Sequence, residues 1–179
     1  VFDKLLEILQ SLGHELLPVK IMMPFAGGVQ LRMGTFLRTL DGGRWYWKIP
    51  LFDEVIEEHV VPRTERLTGL ATTTADGKAI GFDAVVTYRI SDVRKAILDV
   101  QDLKDAISDS CAGAIGTELS NVTWVDIIHG NMVEALTAAC RKRGWKWGVE
   151  IQLVQLTGVA PVKNLRVSLS GHTQHAPTV

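Results

Sequence analysis

The chain has 179 residues, 46% of them hydrophobic and 22% charged, enough for one domain with a real core and too apolar for a disordered segment. Lys plus Arg number 19 against 20 Asp plus Glu, a formal charge of −1, so the surplus of basic side chains that a nucleic-acid binder uses on phosphates is missing. Two cysteines, Cys111 and Cys140, have neither C-x-x-C nor zinc-knuckle spacing, which points away from a disulfide framework and toward either a reducing compartment or a redox state of no consequence.

Residues 2 to 17 place Phe2, Leu5, Leu6, Leu9, Leu12 and Leu16 at steps of three and four, the stripe of an amphipathic helix that Pro18 stops. That stripe packs on its own domain, packs on a neighbouring copy, or lies in a bilayer interface. Asp3, Glu7 and Glu15 against a single Lys4 make it more acidic than most interfacial helices. No apolar run reaches the roughly 18 residues of a membrane span, and the acidic start does not suit a signal peptide.

From Val19 to Ile90 the apolar period shortens to two and turn residues multiply, predicting a β-rich, antiparallel half. Asp41-Gly42-Gly43 is expected to close a hairpin between GTFLRTL and RWYWKI, and Ala75-Asp76-Gly77-Lys78 another between ERLTGLATT and AIGFDAVVTYRI. In the last strand Ile80, Phe82, Ala84, Val86, Tyr88 and Ile90 share a core face. Trp45 and Trp47 share a face of the strand that Pro50 ends.

After Ile90 the pattern is helical. Asp92 caps a short helix to Asp99; a longer one, running to about Glu118, turns Leu103, Ala106, Ile107, Ser110, Cys111 and Ala114 inward. A third opens on a capping box of Asn131 and Glu134, buries Val133, Leu136, Ala139 and Cys140, and ends at Gly144. A final strand runs from Val149 to Leu156, and the polar tail from Ser168 to Val179 has no apolar face. The expected organisation is an N-terminal helix over 1–18, one domain over 19–167 and a tail over 168–179.

Catalytic signatures are missing: there is no G-x-S-x-G, no G-x-x-x-x-G-K-[ST], no G-x-G-x-x-G and no H-E-x-x-H. Of the histidines His14, His59, His129, His172 and His175, only the last two lie close in sequence, both in the tail, so neither metal nor cofactor is expected. Both cysteines fall on inward helix stripes, where a thiol acts as a small hydrophobe. Charge is clustered locally. Asp53, Glu54, Glu57 and Glu58 form an acidic run, and Arg141, Lys142, Arg143 and Lys146 a basic one at a helix C-terminus. Each run is either a solvated face or one half of a head-to-tail contact between copies.

Four strings in order resemble the stomatin and prohibitin family, whose shared unit is the SPFH or Band 7 domain. They are Gly28-Val29-Gln30-Leu31-Arg32-Met33-Gly34, then Lys48-Ile49-Pro50, then Thr74-Ala75-Asp76-Gly77-Lys78 leading into Phe82 to Ile90, and finally Trp147-Gly148-Val149 opening the last strand. The resemblance covers about residues 19 to 167 and implies an α+β domain: an antiparallel β-rich half, then packed helices and a final strand. It also implies a non-enzymatic, membrane-associated homo-oligomer that organises a membrane patch or restrains membrane proteins such as proteases. Relatives carry a membrane segment before the domain and a coiled coil after it. Here the amphipathic helix is no span, no heptads follow the last strand, and no cysteine near residue 1 invites acylation.

The expected function is therefore a scaffold, cytoplasmic and peripheral at the membrane. It touches lipid through Phe2, Leu5, Leu6, Leu9 and Leu12 of the helix and Ile21, Met22, Met23 and Phe25 beyond it, and self-associates through the two charge runs. A soluble ring, cage or shell subunit and an adaptor binding a protease are the alternatives.

Overall fold

A computed structural model describes residues 18–162. The expected N-terminal helix, with Phe2, Leu5, Leu6, Leu9 and Leu12, and the tail from Ser168 lie outside the described residues.

Among the described residues eight strands and four helices follow in order: β1 (Val19–Ile21), β2 (Ala26–Arg32), β3 (Thr35–Leu40), β4 (Trp45–Trp47), β5 (Asp53–His59), β6 (Arg63–Thr73), β7 (Ala79–Ile90), α1 (Val93–Leu98), α2 (Leu103–Ser120), α3 (Trp124–His129), α4 (Val133–Gly144) and β8 (Val149–Pro161). A single 3-10 turn, Trp145–Trp147, joins α4 to β8. This is the expected α+β arrangement of strands first, helices next and a closing strand.

The strands make three antiparallel sheets: a β1–β4 ribbon, a β3–β2–β5 sheet and a β6–β7–β8 sheet. The third carries the main core. Every second residue of β7 from Ile80 to Ile90 is buried, as the alternation predicts. That face meets Ile107, Cys111, Ala114, Ile115 and Leu119 of α2 and Leu136 and Cys140 of α4. The Thr74–Lys78 turn closes the β6–β7 hairpin, with the Thr74 amide donating to the Lys78 carbonyl and the Gly77 amide to that of Thr74.

Helix caps follow local chemistry. Asp92 and Asp102, both with extended backbones, accept from the amides of Lys95 and Asp105 at the starts of α1 and α2. Helix α3 was not foreseen; it opens on Thr123, whose hydroxyl accepts from the Asp126 amide and donates to the Asp126 carboxylate. At α4 the expected capping box does not form. Met132 occupies the cap position without a side-chain bond, and Asn131 accepts from the Val133 amide instead. The last strand extends to Pro161 because β7 is long enough to pair with it throughout.

The Asp41–Gly43 turn is present, but the strands beside it do not form a hairpin. β3 pairs with β2, whereas β4 pairs with β1. The cause is competition for backbone groups. Met22 donates to the Arg44 carbonyl and accepts from the Gly43 amide, so the chain leaving the turn is captured by the segment before β2. The turn is tied by a side chain, with the Asp41 amide donating to the Tyr46 hydroxyl at 2.8 Å.

Gly148 closes the join between the helices and β8. Its left-handed backbone, φ 67°, lets its carbonyl accept from the Ser91 and Asp92 amides at 2.8 and 2.9 Å and from the Ser91 hydroxyl at 3.0 Å. On the outer rim of β8, side chains of α4 take up open backbone groups: the Thr137 hydroxyl accepts from the Val154 amide, and Arg141 donates to the carbonyls of Ile151 and Gln152.

Candidate contact surface

Among the described residues ten of the seventeen exposed large apolar side chains lie in residues 18–52, while Trp145, 70% exposed, stands apart in the turn after α4. On the β1–β4 ribbon Ile21 stands opposite Trp45, and Val19 opposite Trp47. Alternation turns Tyr46 inward against the small core of Met22, Ala26 and Leu40 and leaves Ile21 (73%), Trp45 (68%) and Trp47 (60%) open to solvent. The two tryptophans do share a strand face, and it is the outward one. Met23 and Phe25 are also exposed, with Phe25 stacked on His59 at a centroid separation of 5.3 Å. Met22 is different: it is 1% exposed, so it drops out of the expected lipid-contact set. Its backbone bonds to Gly43 and Arg44 fix it in place and point it at Ala26 and Leu40.

Two loops carry residues that sequence reasoning missed. Met33, at the β2–β3 turn, is 79% exposed, and Leu51, between β4 and β5, is 95% exposed. Among the described residues these are the two non-glycine positions with positive φ, 51° and 72°. The Met33 amide donates to the Phe52 carbonyl at 2.9 Å, so the loops are neighbours, and Phe52 and Ile49 add further exposed apolar area. The sequence did offer one signal: Ile49-Pro50-Leu51-Phe52 places three large apolar residues around a proline that ends a strand, where a loop is ordinarily polar.

Asp53, at the start of β5, anchors this region. Its carboxylate is turned inward, with no side-chain exposure, and accepts from Arg32 Nε at 2.7 Å and Nη2 at 3.0 Å, from Gln30 Nε2 at 2.8 Å and from the Ile49 amide at 2.8 Å. Gln30, itself buried, also donates to the Trp47 carbonyl and accepts from Arg38. One carboxylate thus ties β2 and β5 to both ends of the 47–52 loop. The Arg32 guanidinium, assisted by the Ile49 amide and Gln30, holds the Asp53 carboxyl well below the usual carboxylate range although burial acts the other way.

The expected self-association residues divide in the same way. Glu57 pairs with Lys20 and Glu58 with Arg63. Arg141 is taken up by β8 carbonyls, and Arg143 reaches the Ser110 carbonyl at 3.5 Å. Among the described residues no ion pair engages Glu54, Lys142 or Lys146, and all three are exposed. The acidic run lies along β5 and the basic run at the end of α4 and in the turn beyond it.

Elsewhere the chemistry is sparse. Cys111 and Cys140 are buried and unpaired. A hydrogen bond with Cys111, together with burial, pushes the Cys140 thiol far up, the condition of an inert core thiol. Among the described residues no three His, Cys, Asp or Glu side chains converge as a metal site, and no helix is long and apolar enough to cross a membrane. An open cleft of about 410 Å³ between the α3–α4 junction and β8 is lined by residues of both, among them Ile127, Met132, Val133, Leu136, Gln155 and Leu156.

The chain is a mixed domain with one helix-covered antiparallel sheet and an apolar, outward-facing ribbon and loops. The profile of the SPFH domain / Band 7 family matches residues 26–174, and the chain belongs to that family. It is also similar to an uncharacterized protein of Methanocaldococcus jannaschii, 24% identical over 158 residues that cover 85% of this chain and 77% of the relative.

Proposed function

We propose that this protein is a non-enzymatic, self-assembling scaffold that lies peripherally on a membrane, on its cytoplasmic side, and organises a membrane patch or membrane proteins there. The observation that carries the reading is the concentration of exposed apolar side chains on the β1–β4 ribbon and the two adjoining loops. A soluble monomer seldom leaves so many large apolar groups together in water, and each Leu- or Met-sized side chain moved into hydrocarbon gains about 1.5–3 kcal/mol. The tryptophans suit the headgroup level, where an amphipathic ring has both an apolar and a wet side. Unpaired buried thiols fit a reducing compartment.

Membership of a family of stomatin and prohibitin type supports the scaffolding part. Copies would meet through the exposed Glu54 on β5 and Lys142 and Lys146 on the neighbour, the members of the two charge runs that no ion pair or side-chain hydrogen bond engages among the described residues. Flotation of the full chain with phosphatidylcholine vesicles, with and without phosphatidylglycerol, tests the membrane part. Recovery with the vesicles is expected; a protein that stays at the bottom of both gradients overturns it.

A further inference from the structure

We propose that the second half of β8, with the cleft beside it, receives residues 165–169 of a second copy as a short added strand. This deepens the self-assembly reading above and rests on it.

β8 is an outer strand of its sheet, so the backbone groups it turns away from β7 need partners from elsewhere. Helix α4 supplies them for the first half alone, through Thr137 at the Val154 amide and Arg141 at the Ile151 and Gln152 carbonyls. From Gln155 to Pro161, among the described residues, only β7 bonds to the strand. The Val154 amide faces the rim, so Leu156 turns its amide and carbonyl the same way. Thr157 is the extra residue of a bulge, and Val159 resumes the outward position after it. An extended chain satisfies such a row at its own spacing. Pro161, without an amide hydrogen, ends the row, so the template holds one short strand.

The cleft opens beside those groups, and its walls include Ile127, Met132, Val133, Leu136 and Leu156. A strand laid along this edge turns every second side chain toward the helix-covered face. An occupant that fills the cleft therefore carries apolar residues at alternate positions.

Beyond β8 the sequence runs Lys163-Asn164-Leu165-Arg166-Val167-Ser168-Leu169-Ser170-Gly171, with Leu165, Val167 and Leu169 at that spacing. The same copy cannot bring them to the cleft. A two-residue turn at Lys163-Asn164 sets Leu165 opposite Val162, Val167 opposite Ala160 and Leu169 opposite Gly158, on the face away from half-buried Leu156 and Val159. A longer turn moves Leu169 further from Leu156. A second copy's segment is free of that limit. Each copy gives one segment and receives one, a head-to-tail contact. A strand this short needs the charged contact of Glu54, Lys142 and Lys146 beside it, so losing either contact lowers the assembly.

The test compares the full chain with a Leu165→Asn/Val167→Asn/Leu169→Asn variant. In light scattering at low salt the unaltered chain should assemble, and the variant should lose that mass. A fluorescent synthetic peptide of residues 163–171 should bind the variant at least about tenfold more tightly than a peptide of the same composition with its three apolar residues adjacent. That binding also shows the variant to be folded. Mixing a Met132→Cys copy with a Val167→Cys copy in oxidised glutathione should yield a covalent dimer that neither yields alone, the native Cys111 and Cys140 being buried.

If the unaltered chain assembles and the triple variant assembles equally well, the added strand is wrong and the self-assembly reading stands. A variant that binds both peptides alike, or neither, overturns the match between cleft and segment. A crosslink that forms only within chains carrying both Met132→Cys and Val167→Cys makes the occupant the same copy and overturns the exchange. An unaltered chain that stays monomeric overturns the added strand and the self-assembly reading together.

Discussion

Replacing Gly148 with alanine should be among the most damaging single changes in this protein, and the reason can be separated into parts. A residue with φ 67° loses about 1–2 kcal/mol when it acquires a Cβ, wherever it lies. At Gly148 the new Cβ would also stand 2.5 Å from the Asp92 carbonyl oxygen and 2.7 Å from the Asp92 Cβ. These are atoms of a helix cap and cannot swing aside. Relief requires the β8 entrance to move away from α1, and that movement stretches the bonds its carbonyl accepts from the Ser91 and Asp92 amides and the Ser91 hydroxyl. At about 1 kcal/mol for each of the three weakened bonds, Gly148→Ala should cost about 4–5 kcal/mol in all.

Gly77 supplies the comparison. It has φ 77° in the β6–β7 turn, and nothing lies within 4 Å of where its Cβ would be, so Gly77→Ala should cost the backbone share alone, about 1–2 kcal/mol. Urea unfolding followed by tryptophan fluorescence measures both. Two variants that differ by less than about 0.5 kcal/mol would refute the clash at Asp92 as the dominant cause.

Two further outcomes follow from the charged groups. Because the Asp53 carboxyl is held below its ordinary value, the unfolded chain binds the proton more readily, and the contribution of the Arg32–Asp53 pair to stability rises with pH. It is complete above the unfolded carboxyl value of about 4 and is lost as pH falls below that. The gap in urea midpoint between the unaltered chain and Asp53→Asn should therefore be largest near neutrality and shrink on acidification below about pH 4; a gap that widens there would contradict the ion pair. For self-association, light scattering should show the assembly dissociating as salt is raised, because Glu54, Lys142 and Lys146 are exposed charges; an assembly indifferent to salt would exclude them as the contact.

Much of the main sheet was legible in the sequence because β7 lies between two other strands with only one face against the helices. Burial on one side and partial exposure on the other impose a strict two-residue alternation, and Ile80 to Ile90 display it. Asp92 at the start of α1 was legible for a similar reason, since an acid before an apolar run has one local task. Helix α3 escaped because six residues hold fewer than two turns of periodicity, although Thr123 and Asp126 stand at cap spacing. The turn at Asp41–Gly43 was recognised and its strands assigned to the wrong partners, because the choice lies with Met22, remote from the turn in sequence.

The contact surface was harder to read. Nothing marks Leu51 as a left-handed residue, since leucine ordinarily avoids that conformation, and its φ is set by the tether between Ile49 and Asp53. Asp53 looked like the first of four equivalent acids. Only strand pairing distinguishes it, by placing it opposite Arg32 at the end of β2, while Glu54 faces solvent.

The way α4 treats the rim of β8 has a consequence for what this protein can become when many copies are crowded together. A bare strand edge recruits other strands without limit, and chains that gather at high local density run that risk continuously. Here Thr137 and Arg141 occupy the rim at Ile151, Gln152 and Val154, and the strand finishes at Pro161, which has no amide hydrogen to offer. Crowded copies can therefore touch through side chains while the first half of this strand is closed to fibril-like growth. Arg141, conspicuous in the sequence as one of four neighbouring cations, serves as a lock on its own sheet.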